Sequence, residues 1–161
     1  MIVPPGKYQV ILKFGIYSQA LIQPFNVLID PRVAEEGTTV ADLQQQFEHN
    51  MRVRELVNNV NQLVARVRDA QTKMRSASTA DNDMTAKVNA IASKLLTEPV
   101  RYGKPGLQAH ITYLASMTAN VDQKIGRDAI ERYAVLKKEV DELRAEVDRV
   151  LGPATGIAND R

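Results

Sequence analysis

Residues 53–76 read Val53-Arg-Glu-Leu-Val-Asn-Asn-Val-Asn-Gln-Leu-Val-Ala-Arg-Val-Arg-Asp-Ala-Gln-Thr-Lys-Met-Arg-Ser76. Val53, Leu56, Val60, Leu63, Val67, Ala70 and Met74 recur at alternating spacings of three and four. That is the period of one apolar stripe on an α-helix, in the heptad form that packs against near-parallel neighbours. Upstream, Val40, Leu43 and Phe47 continue the pattern in a shifted phase, so the stripe drifts around the helix near Asn50. Thr39 is the expected N-cap, with Asp42 at the third helical position. The spacing predicts one helix to about Ser76, roughly 37 residues and about 55 Å long at 1.5 Å per residue.

Three further helices follow on the same reasoning. Met84, Val88, Ile91 and Leu95 define the second, closed by Pro99. Leu107, Ile111, Leu114, Met117 and Val121 define the third, with Pro105 expected in its first turn and Gly126 as its breaker. Tyr133, Leu136, Val140, Leu143, Val147 and Val150 define the fourth, with Asp128 as expected cap and Gly152-Pro153 as stop. Ser76 to Ala80 reads as a linker. Helices with one apolar stripe bury it on each other, so the expected architecture is mainly α: an antiparallel bundle of about four helices, one very long. Part of the long helix is expected either to project or to pack along the second and third helices in succession.

The chain before residue 38 has different chemistry. It holds Pro4, Pro5, Pro24 and Pro31, four of the seven prolines, and two of the three phenylalanines. Tyr8, Val10, Leu12 and Phe14 alternate with Gln9, Ile11 and Lys13, the period of a strand that Ile11 alone blurs. Phe25, Val27 and Ile29 alternate with Asn26 in a second run ended by Asp30-Pro31. Gly15 to Ser18 supplies the reversal, and Pro5-Gly6 suits a type II turn with Gly6 at positive φ. The expected element is an N-terminal β-hairpin. Two strands are marginal alone, and their edges carry unpaired backbone groups. The hairpin is therefore expected to complete a sheet, and Tyr8, Val10, Leu12, Phe14, Phe25, Val27 and Ile29 are the candidate partner-binding residues. The organisation expected is a hairpin over 1–37, a bundle over 38–152 and a flexible tail over 153–161.

Function classes are narrowed by what the 161 residues lack. Zero cysteines exclude thiol catalysis, Fe–S clusters and thiolate zinc sites. The two histidines, His49 and His110, have no metal-ligand spacing. Asp81-Asn82-Asp83 opens like a calcium loop, but Ala86 and Ala92 stand where that loop needs Gly and Glu; it reads instead as a helix N-terminus. No nucleophile elbow and no phosphate-binding glycine loop occur, so no enzyme and no cofactor are expected. Arg52, Arg54, Arg66, Arg68, Lys73 and Arg75 on the long helix lack interleaved aromatics, and pairing with the acidic face of the fourth helix is the simpler expectation for them, so nucleic acid is not an expected partner. No run is long and apolar enough to span a membrane, and the start has no basic flank or apolar stretch of a signal peptide.

Val3-Pro-Pro-Gly-Lys-Tyr-Gln-Val, Gln23-Pro-Phe-Asn-Val-Leu-Ile-Asp-Pro-Arg-Val and Thr39-Val-Ala-Asp-Leu-Gln-Gln-Gln-Phe together resemble the C-terminal region of bacterial sortilin-like β-propeller proteins. Leu107 to Leu114, Glu131-Arg132-Tyr133 and Leu136-Lys137-Lys138-Glu139 are similar to later helices of that region. The resemblance covers most of the chain and consists of fold motifs without catalytic residues. It implies that the hairpin is the end of an Ig-like sandwich whose other strands, like the propeller, are absent here, and it implies an extracytoplasmic, periplasmic setting. A hydrolase activity is not carried over. The expected function is a non-enzymatic interaction module docking onto a larger extracytoplasmic assembly through its hairpin edge and helix surfaces. An accessory subunit of a membrane-embedded complex is the alternative, and a ligand-binding helical bundle is a weaker one.

Overall fold

A computed structural model describes residues 2–15, 20–77 and 81–154. Its elements run β1 (Gly6–Leu12), β2 (Leu21–Val27), α1 (Pro31–Glu35), α2 (Val40–Ser76), α3 (Asn82–Leu95), α4 (Leu107–Ala119) and α5 (Arg127–Leu151). The chain is mostly helical, with a long helix and an N-terminal antiparallel hairpin, as the periodicity predicts.

The heptad stripe of α2 is the spine. Val53, Leu56, Val60, Leu63 and Val67 are buried, and Val60 and Val67 are fully so. Thr39 caps its start as expected and the cap closes as a capping box: Thr39 Oγ1 accepts from the Asp42 amide at 3.1 Å, and the Asp42 carboxylate accepts from the Thr39 amide at 2.9 Å. α3 packs against the C-terminal half of α2, where Gln71 meets Asn89. α4 packs against the N-terminal half: Gln108 meets Asn61, and Thr118 lies beside Asn50. Both therefore run antiparallel to α2, one after the other. α5 returns parallel to α2, with Tyr133 at His49 and Asp148 at Arg66. The cross-section is thus an up–down–up trio, with the down member broken into α3 and α4. Loop 96–106 joins the two, and Gly106 makes the join tight. A Cβ on Gly106 would stand 2.6 Å from the Leu95 carbonyl oxygen, so only glycine fits the approach.

One contiguous apolar core follows from this arrangement. Val88, Ile91 and Leu95 of α3, Leu107, Ile111 and Leu114 of α4, and Leu136, Val140, Leu143 and Val147 of α5 join the α2 stripe. Each fully buried Val or Leu contributes about 1.5–3 kcal/mol by leaving water. At the far end, Arg66 bonds Asp148 Oδ1 at 2.7 Å and the Gly152 carbonyl at 2.7 Å, fastening the end of α5 to the spine. Gly152 takes φ 81° there, the expected helix stop.

Several sequence expectations are corrected. Gly6 does not take positive φ; it is the first residue of β1, so Pro5-Gly6 is not a type II turn. β2 spans Leu21–Val27 rather than starting at Phe25, because its register answers Leu12 with Leu21. Asp30-Pro31 does more than end a strand. Asp30 accepts from the Arg32 amide at 2.9 Å and caps the one-turn helix α1, with Pro31 at its first position. Pro105 lies before the cap of α4, which is Gly106. Asp128 is not the cap of α5; Gly126 is, leaving Asp128 in the first turn, where its charge suits the helix dipole. Met117 and Val121 are not core. α4 ends at Ala119 and buries Thr118 instead, leaving Met117 50% and Val121 58% exposed. The reversal at 16–18, most of the 76–80 linker and the tail beyond 154 lie outside the described residues.

Candidate functional site

The hairpin stands apart from the bundle. Among the described residues, neither strand brings a Cα within 8 Å of any helix. The ribbon is held at its base instead. Pro4 is buried, and Ile2, Val3 and Pro4 line a crevice with Leu43, Phe47 and Ala119. The Tyr8 hydroxyl donates to the Pro4 carbonyl at 2.6 Å, and the Tyr8 and Phe25 rings meet at 5.9 Å across the strands.

The register places Tyr8 opposite Phe25, Val10 opposite Gln23, Ile11 opposite Ile22 and Leu12 opposite Leu21. Strand alternation then puts Tyr8, Val10, Leu12, Leu21, Phe25 and Val27 on one face. Five of the seven candidate residues share that face as expected. Phe14 and Ile29 fall beyond the strand ends. Phe14 is 85% exposed, and Ile29 is half-buried in a groove with Val27, Leu28 and Pro31.

The opposite face was not legible as a site. Ile11 and Ile22 are opposed on it and more than half exposed, and Val10, Leu12 and Leu21 on the first face are exposed as well. The distal half of the ribbon is therefore apolar on both faces, the pattern of strands covered on both sides. Charge is uneven too. No carboxylate precedes Asp30, while Lys7 and Lys13 stand in the ribbon. Residues 30–161 balance their charges, so the whole net +2 belongs to the hairpin segment.

The helices contribute one comparable surface. α4 carries no Asp, Glu, Lys or Arg, and Tyr113 and Met117 are exposed on its outer side. By contrast, α2, α3 and α5 are laced with ion pairs: Arg66–Asp148, Lys94–Glu146, Lys73–Asp69 and Lys137–Asp141. Of the six basic residues of α2, Arg66 is the one that meets the acidic face of α5 in an ion pair among the described residues.

The bundle end beneath the hairpin holds an unexpected polar layer. Gln46, His49, Asn50 and Thr118 are buried. Gln46 Nε2 donates to the carbonyls of Thr118 at 2.8 Å and Val121 at 2.6 Å, and its Oε1 accepts from the Gln123 amide at 3.2 Å. Asn50 Nδ2 donates to the same Thr118 carbonyl at 2.8 Å. These side-chain amides replace the partners that the end of α4 lacks.

Among the described residues no three His, Cys, Asp or Glu gather as a metal site, and no helix is long and apolar enough to cross a membrane. Asp81 caps α3 through the amides of Asp83 and Met84, so the acidic triplet is a helix start. Compared with known proteins, the chain matches no family, and no curated protein or solved structure is similar to it.

Proposed function

We propose that this chain is a non-enzymatic interaction module: a self-sufficient helical spine that presents a β-hairpin for incorporation into a partner's sheet. The observation that carries this reading is the hairpin itself, two seven-residue strands with exposed apolar side chains on both faces and no helix alongside. Strand pairing would satisfy the free edges, and layers above and below would cover Val10, Ile11, Leu12, Leu21 and Ile22. The lone charges Lys7 and Lys13 favour a partner whose rim carries carboxylates. The family resemblance read from the sequence supports an extracytoplasmic assembly as the setting, with a neighbouring Ig-like sandwich as the partner sheet.

The absence of cysteine makes the test direct. Ile11→Cys and Leu21→Cys react rapidly with a maleimide in the isolated protein. In cells of the native host they are expected to be shielded, while Asn58→Cys on the exposed side of α2 stays reactive. Equal labelling of hairpin and helix cysteines in cells would refute the docking role.

A further inference from the structure

The buried polar layer beneath the hairpin contains a group that its surroundings do not satisfy. His49 is 1% exposed, and neither ring nitrogen has a hydrogen-bond partner among the described residues. The Asn50 side-chain oxygen next to it is also buried and unpartnered. A neutral imidazole tolerates this at some cost, but a buried imidazolium without an acceptor costs far more.

Among the described residues no carboxylate offsets a charge on His49. From α5 it meets the edge of the Tyr133 ring, centroids 5.9 Å apart. From its own helix it meets Arg52, whose guanidinium lies over the same ring at 5.8 Å. Glu48, its neighbour in sequence, is exposed on α2. α4 brings no Asp, Glu, Lys or Arg at all. In the α4–α5 connection, Asp122 lines the crevice beside Asn50, and Lys124 pairs with Asp42 at 3.8 Å. Burial first, and the charge of Arg52 second, hold the His49 pKa below its usual value.

This end of the bundle also lies outside the contiguous apolar core. The contiguous core begins at Val53, and Leu43 and Ile125, though buried, stand outside it. The α4–α5 connection is held to α2 chiefly by Gln46, one turn before His49, and by Asn50, the residue after it. Regions with few apolar contacts open locally before the whole fold does.

We propose that the Leu43–Val53 end of the bundle is an acid-released latch: proton uptake by His49 frees the α4–α5 connection from α2, while the core from Leu56 to Val147 stays folded. Because Ile2, Val3 and Pro4 seat against this same end, release loosens the hairpin's foothold. The sign follows from linkage. A histidine whose folded pKa is depressed binds fewer protons folded than open. The latch is therefore fully closed above about pH 6.5, the unfolded value. It weakens as pH falls, by up to tenfold in opening constant per unit until the folded pKa is passed.

Hydrogen exchange at pH 7.5 and 5.0, corrected for intrinsic rates, tests this. Amides of the 118–130 region are expected to lose at least tenfold in protection at pH 5.0, while those of Val60–Val67 and Val140–Val147 keep theirs. His49→Leu and His49→Phe are expected to abolish the acid response. NMR titration of the His49 imidazole provides a readout independent of any variant. Titration of His49 at about pH 6.5 with no loss of protection would overturn the proposal. So would the same acid response in either variant.

Discussion

Replacing Leu136 by Ala is expected to cost about 2–5 kcal/mol of unfolding free energy. Leu136 is fully buried at a point where α5 contributes to the shared core. The truncation removes apolar contact and leaves a cavity between helices that cannot collapse without moving one of them. Domains of this size hold about 5–15 kcal/mol in total, so one such change consumes a large share. The corresponding fall in melting temperature is about 5–15 °C, at a few degrees per kcal/mol. Val135→Ala, one residue away and half exposed, is expected to stay within about 0.5 kcal/mol of the parent. Urea unfolding of both variants checks the pair. Similar small losses for both would show that α5 does not close the core.

The double substitution Ile11→Lys with Ile22→Lys is expected to have the opposite profile. The two side chains oppose each other on one ribbon face, 55% and 56% exposed, and among the described residues no helix runs beside their strands. Bundle stability should therefore change by less than about 0.5 kcal/mol. Attachment to a partner sheet should fall by at least 100-fold. Two isoleucines covered on docking contribute about 1.5–3 kcal/mol each, and every 1.4 kcal/mol is a factor of ten in affinity. In cells, a Leu21→Cys reporter carrying both lysines should label at the rate of the isolated protein. A destabilised bundle with unchanged shielding would place the isoleucines in the fold and not in an interface.

The parts of the fold legible in the sequence were those set by local periodicity. The α2 stripe from Val53 to Val67, the Thr39 cap, the α3 and α5 stripes and the Gly152 stop depend on residues close in sequence, and each appears as read. Features set by distant contacts were not legible. Nothing local to Gln46, His49 or Asn50 announces burial; Gln46 and Asn50 answer carbonyls at the end of α4, some 70 residues on, and His49 is enclosed between them. The same capture moves the inner face of α4 from Met117 to Thr118. At α5 the cap is Gly126 and not Asp128, and the aspartate sits two residues further in, within the first turn. At the candidate site, strand alternation gave the Tyr8–Leu12 and Phe25–Val27 face. The second apolar face needed the register, because Ile22 opposite Ile11 becomes meaningful only once Leu12 is known to pair with Leu21.

The central claim is that the helices stand alone and the hairpin does not. Hydrogen exchange of the isolated protein, read with its mass in solution, tests this most directly. The account predicts a monomer in which the amides of Gly6–Leu12 and Leu21–Val27 exchange almost freely, while those of Leu56–Val67 and Leu136–Val147 exchange only through global unfolding. A monomer whose hairpin amides are as protected as its helices would contradict it, since the ribbon would then be a finished part of the fold with no edge left to offer.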